Sequence, residues 1–205
     1  FFTQSEYGIY SLAFVILNLA VIISTLGLNQ GATRQIAYYR GKAEAAKVEG
    51  VISSSLQIAL IASIVLSMLL FFTSDTISAQ IFHEPDLSIA LKIFSIAIPF
   101  FVLINILASV FRGFDEVKPK AYFQDILRNG LFPLLLVPVI LLGLSFSGAM
   151  YAFSASIILA SIAFVIYTLK KAPFTVKRYP PMNPVGKELL LFSLPLLGVA
   201  VLGFI

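Results

Sequence analysis

The chain has 205 residues, of which 59% are hydrophobic and only 12% are charged, and its mean hydropathy is +0.98. A soluble domain carries roughly 25% charged residues, so this composition excludes an ordinary soluble protein and indicates a membrane protein. The net charge of +4 does not indicate a nucleic-acid partner, because the basic residues are dispersed over connections beside apolar segments. The absence of cysteine excludes disulfides, a thiol nucleophile and a cysteine-based zinc site within these residues.

Six apolar stretches succeed one another along the chain. They lie at residues 9–28, 51–72, 93–111, 130–144, 148–169 and 189–205. About 20 helical residues cross the roughly 30 Å of hydrocarbon in a bilayer, and most of these stretches approach or exceed that length. We therefore predict an all-α polytopic membrane helix bundle, with five full transmembrane helices and the start of a sixth.

Basic residues alternate from one side of the predicted bundle to the other. The basic connections are residues 29–50, 112–129 and 170–188, and the other set is residues 1–8, 73–92 and 145–147. Of the 14 Lys and Arg residues, only Lys92 lies outside the basic set. Short cytoplasmic loops collect Lys and Arg, so we predict that the basic connections are cytoplasmic and the others external.

The first predicted helix, residues 9–28, runs inward and carries a narrow polar stripe. Ser11, Asn18 and Thr25 recur every seven residues, which is nearly two helical turns. This spacing places the three side chains on one face of an otherwise apolar helix.

A small-residue spacing follows at the inner end of that helix. Gly27 and Gly31 are four residues apart, which permits another helix to approach closely. Arg34 comes next, and then Tyr38 and Tyr39, whose amphipathic rings suit the headgroup layer.

The second predicted helix, residues 51–72, runs outward with Gln57 near its cytoplasmic end. We predict a short surface helix or turn at residues 41–50 before it. In the external connection, residues 77–82 are predicted as a short amphipathic surface piece, which Pro85 ends.

The third predicted helix, residues 93–111, contains Pro99, which removes a backbone hydrogen bond and is expected to kink it. Asn105 lies toward its inner end. Arg112 and Gly113 terminate the span.

The fourth predicted helix begins at Pro119, a favourable first helical position. Asp125 and Arg128 are three residues apart and therefore share a face. Pro133 and Pro138 are predicted to interrupt this helix.

The fifth predicted helix, residues 148–169, carries a seven-residue series of hydroxyl side chains, which we interpret as a packing seam. The series is Ser147, Ser154, Ser161 and Thr168. Residues 170–188 are proline-rich and are predicted to form an extended cytoplasmic connector. The sixth helix begins near Pro184 and contains Pro195.

Several of these motifs resemble a known family in their order, spacing and sidedness. Tyr7-Gly-Ile-Tyr10 and Leu26-Gly-Leu-Asn-Gln-Gly-Ala-Thr-Arg34 resemble the second helix of lipid-linked oligosaccharide flippases. These are the polysaccharide exporters of the multidrug/oligosaccharidyl-lipid/polysaccharide (MOP) superfamily. Arg112-Gly113 and Phe192-Ser-Leu-Pro195 lie where similar motifs occur in that family. The resemblance covers essentially the whole chain.

The resemblance implies that the chain is part of a transporter with two lobes that rock between inward- and outward-open states. Residues 1–171 would be a transmembrane bundle of the amino-terminal lobe, 172–188 a cytoplasmic linker, and 189–205 the start of the first helix of a second lobe. We expect at least one further helix before Phe1 and an unknown number after Ile205. Alone, the chain is not expected to transport.

The resemblance also implies a cargo, a location and partners. The cargo would be a polyprenyl-linked oligosaccharide, moved from the cytoplasmic to the external leaflet of the plasma membrane. The chain would be a multi-pass protein rather than an enzyme and would need no cofactor. Its partners would be the lipid-linked oligosaccharide, the bilayer and glycan-assembly membrane proteins, with no nucleic acid.

Seven residues are candidates for substrate binding. They are Asn18, Arg34, Gln57, Asn105, Arg112, Asp125 and Arg128. Arg34 would attract the anionic pyrophosphate at the cytoplasmic mouth, unless it only snorkels at a helix end. Asp125 and Arg128 would line the inward cavity or form a gate, unless they only neutralise each other. The amide side chains would bond to the glycan, unless they only pack helices.

Two other functions are consistent with these residues. In a cation-coupled multidrug antiporter of the same superfamily, Asp125 is the candidate coupling carboxylate. In an integral-membrane glycosyltransferase or ligase, acidic residues in external loops would do the chemistry, and the candidates are Glu6, Asp75, Glu84 and Asp86. No paired pattern of acids supports the enzyme, and we interpret the group around His83 as a solvated loop rather than a metal site.

Overall fold

The structure is a computed structural model that describes residues 3–143, 146–171 and 185–203. Its α-helices are α1 (Gln4–Thr25), α2 (Leu28–Gly41), α3 (Ala45–Thr76), α4 (Asp86–Gly113), α5 (Arg128–Leu141), α6 (Phe146–Lys171) and α7 (Val185–Leu202). Two π-helical segments extend this set, with Ile77–Phe82 continuing α3 and Lys120–Leu127 leading into α5. The described residues contain no strand, so the all-α prediction is confirmed.

Five helical stretches are long and apolar enough to cross a membrane. They are Gln4–Gly41, Ala45–Phe82, Asp86–Gly113, Lys120–Leu141 and Phe146–Lys171. A sixth, shorter apolar stretch, Leu189–Gly198, lies in α7. The prediction of five full spans and the start of a sixth is therefore confirmed. The predicted linker lies mostly in residues 172–184, outside the described residues.

The first predicted helix was wrong in one respect, because the helix breaks inside the apolar stretch. Leu26 and Gly27 both adopt left-handed backbone conformations, with φ of 49° and 73°, and α2 starts at once at Leu28. Glycine adopts this conformation without steric cost, whereas leucine does not. Hydrophobicity alone does not reveal such a break, because Ser24 and Thr25 beside it are residues that also occur inside membrane helices.

The predicted turn at residues 41–50 was also too long. Only residues 42–44 separate α2 from α3, which begins at Ala45. The stretch Ala45–Phe82 has 38 residues, or about 57 Å at 1.5 Å per residue. It is therefore much longer than the roughly 30 Å of hydrocarbon in a bilayer. Similarly, residues 77–82 are not a separate surface piece but a π-helical end of the α3 rod.

Helix α4 forms the centre of the bundle, packing against α1, α2, α3 and α6. The side chains of Phe94 and Phe111 are fully buried on it. Phe94 meets the ring of Phe153 from α6 at 5.3 Å, and Phe111 stacks with Phe164 at 5.7 Å. The hydroxyl series of α6 lies in this contact, since Ser154 is buried and donates to the carbonyl of Ile93 at 3.5 Å.

Helix α5 is the most peripheral helix and has no buried residue. Its prolines, Pro133 and Pro138, were predicted to interrupt it, but α5 runs unbroken from Arg128 to Leu141. Each proline removes only one backbone hydrogen bond, and the rest of the ladder keeps the segment helical. Its start agrees more closely with prediction, because Pro119 caps the π-helical segment that leads into it.

Helix α7 lies against α2 at the small-residue spacing. A Cβ built on Gly27 would come within 2.1 Å of the backbone oxygen of Ser193, and one on Gly31 within 2.0 Å of its Oγ. The two glycines therefore leave the space that α7 occupies. A side chain at Gly27 would meet the backbone of α7, and one at Gly31 would meet the side chain of Ser193. The sequence predicted a close helix contact here, and the structure identifies α7 as the partner.

Candidate functional site

The predicted cytoplasmic end of the α2–α4 contact holds a guanidinium with unused hydrogen-bonding capacity. Arg112, in the last turn of α4, is half-buried, and its Nη2 donates to the carbonyl of Asn29 over a long 3.4 Å. Its Nε is buried and has no hydrogen-bond partner among the described residues. The side-chain oxygen of Asn29 is likewise buried and unpartnered there. Buried polar atoms are normally satisfied, so this pair of atoms is an exception that suggests a place for a ligand or water.

Arg34 lies on the adjoining face of α2 and is exposed. Its Cζ lies 6.0 Å from the ring centroid of Phe192 on α7, and it forms no salt bridge with a described residue. It lines a pocket of about 360 Å³ together with Gln35, Tyr38, Tyr39 and Phe192. An exposed, unpaired guanidinium at the edge of a pocket can receive an anion.

A third arginine of this end, Arg40, is by contrast held by contacts within the fold. Its Nη1 donates to the carbonyl of Gly113 at 2.8 Å and to Asp115 Oδ2 at 3.0 Å. Its guanidinium lies 5.0 Å from the ring centroid of Phe114. Arg40 therefore ties the end of α2 to the connection after α4.

Two of the predicted site residues meet where the π-helical segment before α5 crosses α4. Asn105 Oδ1 accepts a hydrogen bond from Gln124 Nε2 at 2.8 Å. The Arg128 guanidinium lies 4.8 Å from the ring centroid of Phe101, one turn from Asn105 on α4. Asp125 is exposed and forms no salt bridge with Arg128. This junction is therefore built mainly from amide and stacking contacts.

Replacing Asn105 by leucine is expected to destabilise the protein by leaving Gln124 unpaired, whereas the double replacement with Gln124→Leu should recover part of that loss. Hydrogen bonds between membrane helices have coupling energies of about 0.6 kcal/mol on average and about 1.7 kcal/mol at most. Unfolding of the two single variants and the double variant in detergent measures this coupling. A coupling of zero would show that the pair does not contribute to packing.

The remaining predicted site residues, Asn18 and Gln57, form no hydrogen bond with Arg34, Arg112 or Arg128 among the described residues. Asn18 Nδ2 donates to the carbonyl of Phe14 in its own helix at 2.7 Å. Gln57 is exposed on α3. Both side chains keep some access to a ligand, but neither forms a site with a second described polar group.

The predicted external end is a salt-bridged surface. Lys92 Nζ lies 2.8 Å and 2.9 Å from the two carboxylate oxygens of Asp75, which also accepts a hydrogen bond from Ser88. The basic residue outside the cytoplasmic set is thus paired with a carboxylate. His83 is exposed, and the described residues contain no group of three or more metal-binding side chains.

All of residues 1–205 match the family model of the polysaccharide biosynthesis proteins. The chain belongs to that family. No curated protein matches it. A transporter of the MOP superfamily from Pyrococcus furiosus, whose binding pocket is described as having reverse polarity, has a similar structure. It shares 19% identity with a TM-score of 0.76, over 95% of this chain and 49% of the transporter.

Two structures described as transporters of the MATE family are similar as well. One was solved in complex with MaD5; it shares 19% identity with a TM-score of 0.78, over 94% of this chain and 45% of that one. The other is an outward-facing multidrug resistance transporter of the MOP superfamily; it shares 19% identity with a TM-score of 0.76, over 95% of this chain and 49% of that one. At this identity the likeness concerns the fold. This polysaccharide biosynthesis family member thus has the fold of a MOP transporter and is a multi-pass membrane protein, and it spans about half the length of these structures.

Three features of the site were not predicted from the sequence. The Gln124 partner of Asn105, the buried oxygen of Asn29 and the ring of Phe192 beside Arg34 all depend on how separate helices meet. Of these three features, the sequence could have indicated only the role of Gln124, because it is a polar residue four positions before Arg128 in an amphipathic segment.

Proposed function

We propose that this family member takes part in moving a polyprenyl-linked oligosaccharide from the cytoplasmic to the external leaflet of the plasma membrane. The observation that supports this proposal best is a pair of arginines, Arg34 and Arg112, that form no salt bridge with any described residue. They lie at the predicted cytoplasmic end of a chain that matches the polysaccharide biosynthesis family throughout. A guanidinium without a carboxylate partner can bind phosphate oxygens through paired donors, and the pyrophosphate of a lipid-linked glycan supplies them.

The two arginines would contact the headgroup at two successive depths. Arg34 is exposed and can meet the pyrophosphate first, with paired donors that match phosphate oxygens. Arg112 lies deeper and has an unused Nε donor. The amides of Asn18, Gln57 and Asn105, together with Asp125 and Arg128, are proposed to contact the glycan as it passes. No bond is made or broken in this transfer, so the proposal requires neither a catalytic residue nor a cofactor.

Alternating access would complete the mechanism. Two lobes that rock about a central site would expose the headgroup first to the cytoplasm and then to the exterior. In this scheme α1 to α6 belong to the amino-terminal lobe and α7 opens the second. Glycan-assembly proteins of the same membrane are proposed as partners, since the cargo must be delivered from one to the other.

A cation-coupled drug antiporter is the second candidate, and the similarity to two MATE structures favours it. Such coupling usually uses a carboxylate inside the membrane. None of the aspartates and glutamates whose side chains the structure describes is buried, and Asp125 is exposed. Dye efflux that depends on a proton or sodium gradient and is lost in Asp125→Asn would establish this second function.

The test of the proposed function uses cells that lack the gene and any other flippase of this family. Lipids are extracted, and polyprenyl-linked glycan is measured before and after treatment of intact cells with a glycan-cleaving reagent that stays outside. We expect the intermediate to accumulate in a protected form and to disappear when the intact gene returns. Arg34→Ala, expressed at the normal level, should fail to restore export. Normal surface glycan with no trapped intermediate would disprove the proposal.

A further inference from the structure

The pocket between α2 and α7 has the size and composition of a small-ligand site. Its volume of about 360 Å³ lies in the range of roughly 300–1,000 Å³ that is usual for such sites. Arg34, Gln35, Tyr38 and Tyr39 line it from α2, and Phe192 lines it from α7. Both helices are needed to form it.

Positive charge dominates the surroundings of the pocket. Arg34 stands beside the Phe192 ring. Lys42 Nζ lies 4.4 Å from the ring centroid of Tyr38, and Lys47 Nζ lies 5.2 Å from that of Tyr39. No acidic residue whose side chain the structure describes lines the pocket, although Lys47 also pairs with Glu44. This distribution of charge favours an anionic ligand.

The pocket also offers flat ring faces. The rings of Tyr38 and Tyr39 are 5.3 Å apart at 67°. Tyr38 is 56% exposed and Phe192 is 42% exposed, so parts of both rings can be reached by a ligand. An aromatic ring combines a large apolar face with, in tyrosine, a polar tip. A sugar ring has a matching apolar face of C–H groups and a rim of hydroxyls.

A third observation concerns Gln35, which is independent of both the charges and the rings. Its side-chain oxygen is buried and has no hydrogen-bond partner among the described residues. A buried acceptor without a donor is rare, because its desolvation is not compensated. A hydroxyl or N–H group of a ligand would supply that donor once the Gln35 side chain turns its oxygen toward the pocket that it lines.

We propose that this pocket binds the first sugar of a glycosyl diphosphate, with the diphosphate on Arg34, the sugar ring against Tyr38 and Phe192, and a sugar donor group on Gln35. The proposal rests on the proposed function, because it specifies which part of the lipid-linked glycan is recognised. It adds that recognition requires α7 to lie against α2. A ligand held by both helices favours the arrangement in which they are in contact, since it binds that arrangement more tightly.

The test measures binding of three probes to the purified full-length protein in detergent. The probes are inorganic pyrophosphate, a short isoprenyl diphosphate, and the same isoprenyl diphosphate carrying one N-acetylhexosamine. We expect the sugar-bearing probe to bind more tightly than the bare isoprenyl diphosphate. Tyr38→Leu and Phe192→Leu should each reduce this advantage by about fivefold, the size of an aromatic contact. Arg34→Gln should weaken the binding of all three probes.

Two further variants separate recognition from misfolding. Tyr122→Leu is the matched control, because Tyr122 is 55% exposed and packs edge-on against Phe123 at 5.0 Å, outside the pocket. It should leave the binding of every probe unchanged. Tyr38→Phe keeps the ring and should keep the sugar advantage. If Tyr38→Leu and Phe192→Leu prefer the sugar-bearing probe as strongly as the original protein does, the pocket assignment is overturned.

The outcome for the pocket can be separated from the outcome for the proposed function. Binding to purified protein does not depend on translocation, whereas the trapped intermediate in cells does. A trapped intermediate together with sugar-independent binding would reject the pocket and leave the flippase standing. Sugar-dependent binding that is lost in Tyr38→Leu, without any trapped intermediate, would support the pocket and reject the flippase.

Discussion

Replacing Gly27 with alanine is expected to reduce export of the lipid-linked glycan at least about tenfold, because the new methyl group occupies the place of α7. A Cβ at this position would lie 2.1 Å from the backbone oxygen of Ser193 and 2.9 Å from the backbone nitrogen of Leu197. Backbone atoms cannot rotate away, so the whole of α7 must move. Alanine also has to adopt a φ of 73°, which costs about 1–2 kcal/mol.

Gly143→Ala is the matched control for the backbone cost. Gly143 has a similar φ of 63°, but nothing lies within 4 Å of a Cβ built on it. This variant should therefore lose only the small stability cost of the left-handed conformation and should export normally. Comparable export defects in both variants would show that backbone strain, and not the contact with α7, is responsible.

Gly31 offers a second, reversible version of the same experiment. Its Cβ would meet Ser193 Oγ at 2.0 Å and Ser193 Cβ at 3.1 Å, but Ser193 Cα only at 3.7 Å. Gly31→Ala should therefore cause a milder defect, and adding Ser193→Gly should restore export. Ser193→Gly should not rescue Gly27→Ala, because the backbone oxygen of residue 193 remains. If Ser193→Gly restored export in both glycine variants, or in neither, these contacts with α7 would not explain the defects.

The fold could be predicted from the sequence to the extent that it depends on hydrocarbon thickness and charge. Apolar length identified the five spans, and small residues at Gly27 and Gly31 indicated a close helix contact. The break at Leu26 was missed because the neighbouring Ser24 and Thr25 do not distinguish the end of a helix from polar residues inside a span. The early start of α3 was missed because residues 45–50 are charged but have good helix propensity. Charge marks the edge of the membrane, not the end of the helix.

The site was less predictable, because its properties arise between helices. Arg34, Arg40 and Arg112 look alike in the sequence, each a basic residue near the predicted cytoplasmic end of a span. Only the structure shows that Arg40 contacts Gly113, Asp115 and Phe114, while Arg112 keeps a buried Nε without a described partner. The pocket, likewise, requires Phe192 to come from α7.

This difference between the arginines gives opposite expectations for two matched substitutions. Arg112→Met should reduce export at least about tenfold with little loss of stability. Methionine preserves most of the apolar stem and removes a partly desolvated charge, and such replacements are often neutral or stabilising. Among the described residues, Arg112 forms one long hydrogen bond, at 3.4 Å to Asn29. Its removal should therefore reduce stability little but weaken anion binding strongly.

Arg40→Met should behave in the reverse way. The variant loses a 2.8 Å hydrogen bond to the carbonyl of Gly113 and the contact with Phe114, which together contribute about 1–2 kcal/mol. The pairing with Asp115 adds little, because that carboxylate is largely exposed. Export per folded molecule should remain normal, since the charge of Arg40 is already paired with the Asp115 carboxylate.

Thermal unfolding in detergent and export in cells, normalised to folded protein, together decide between these expectations. A crossed pattern, with Arg112 needed for export and Arg40 for stability, would assign the anion site to Arg112. If Arg112→Met lost stability in proportion to export, its guanidinium would be a structural group like that of Arg40. The anion would then have to be bound by Arg34 alone, and Arg34→Ala would abolish the binding of pyrophosphate that Arg112→Met leaves intact.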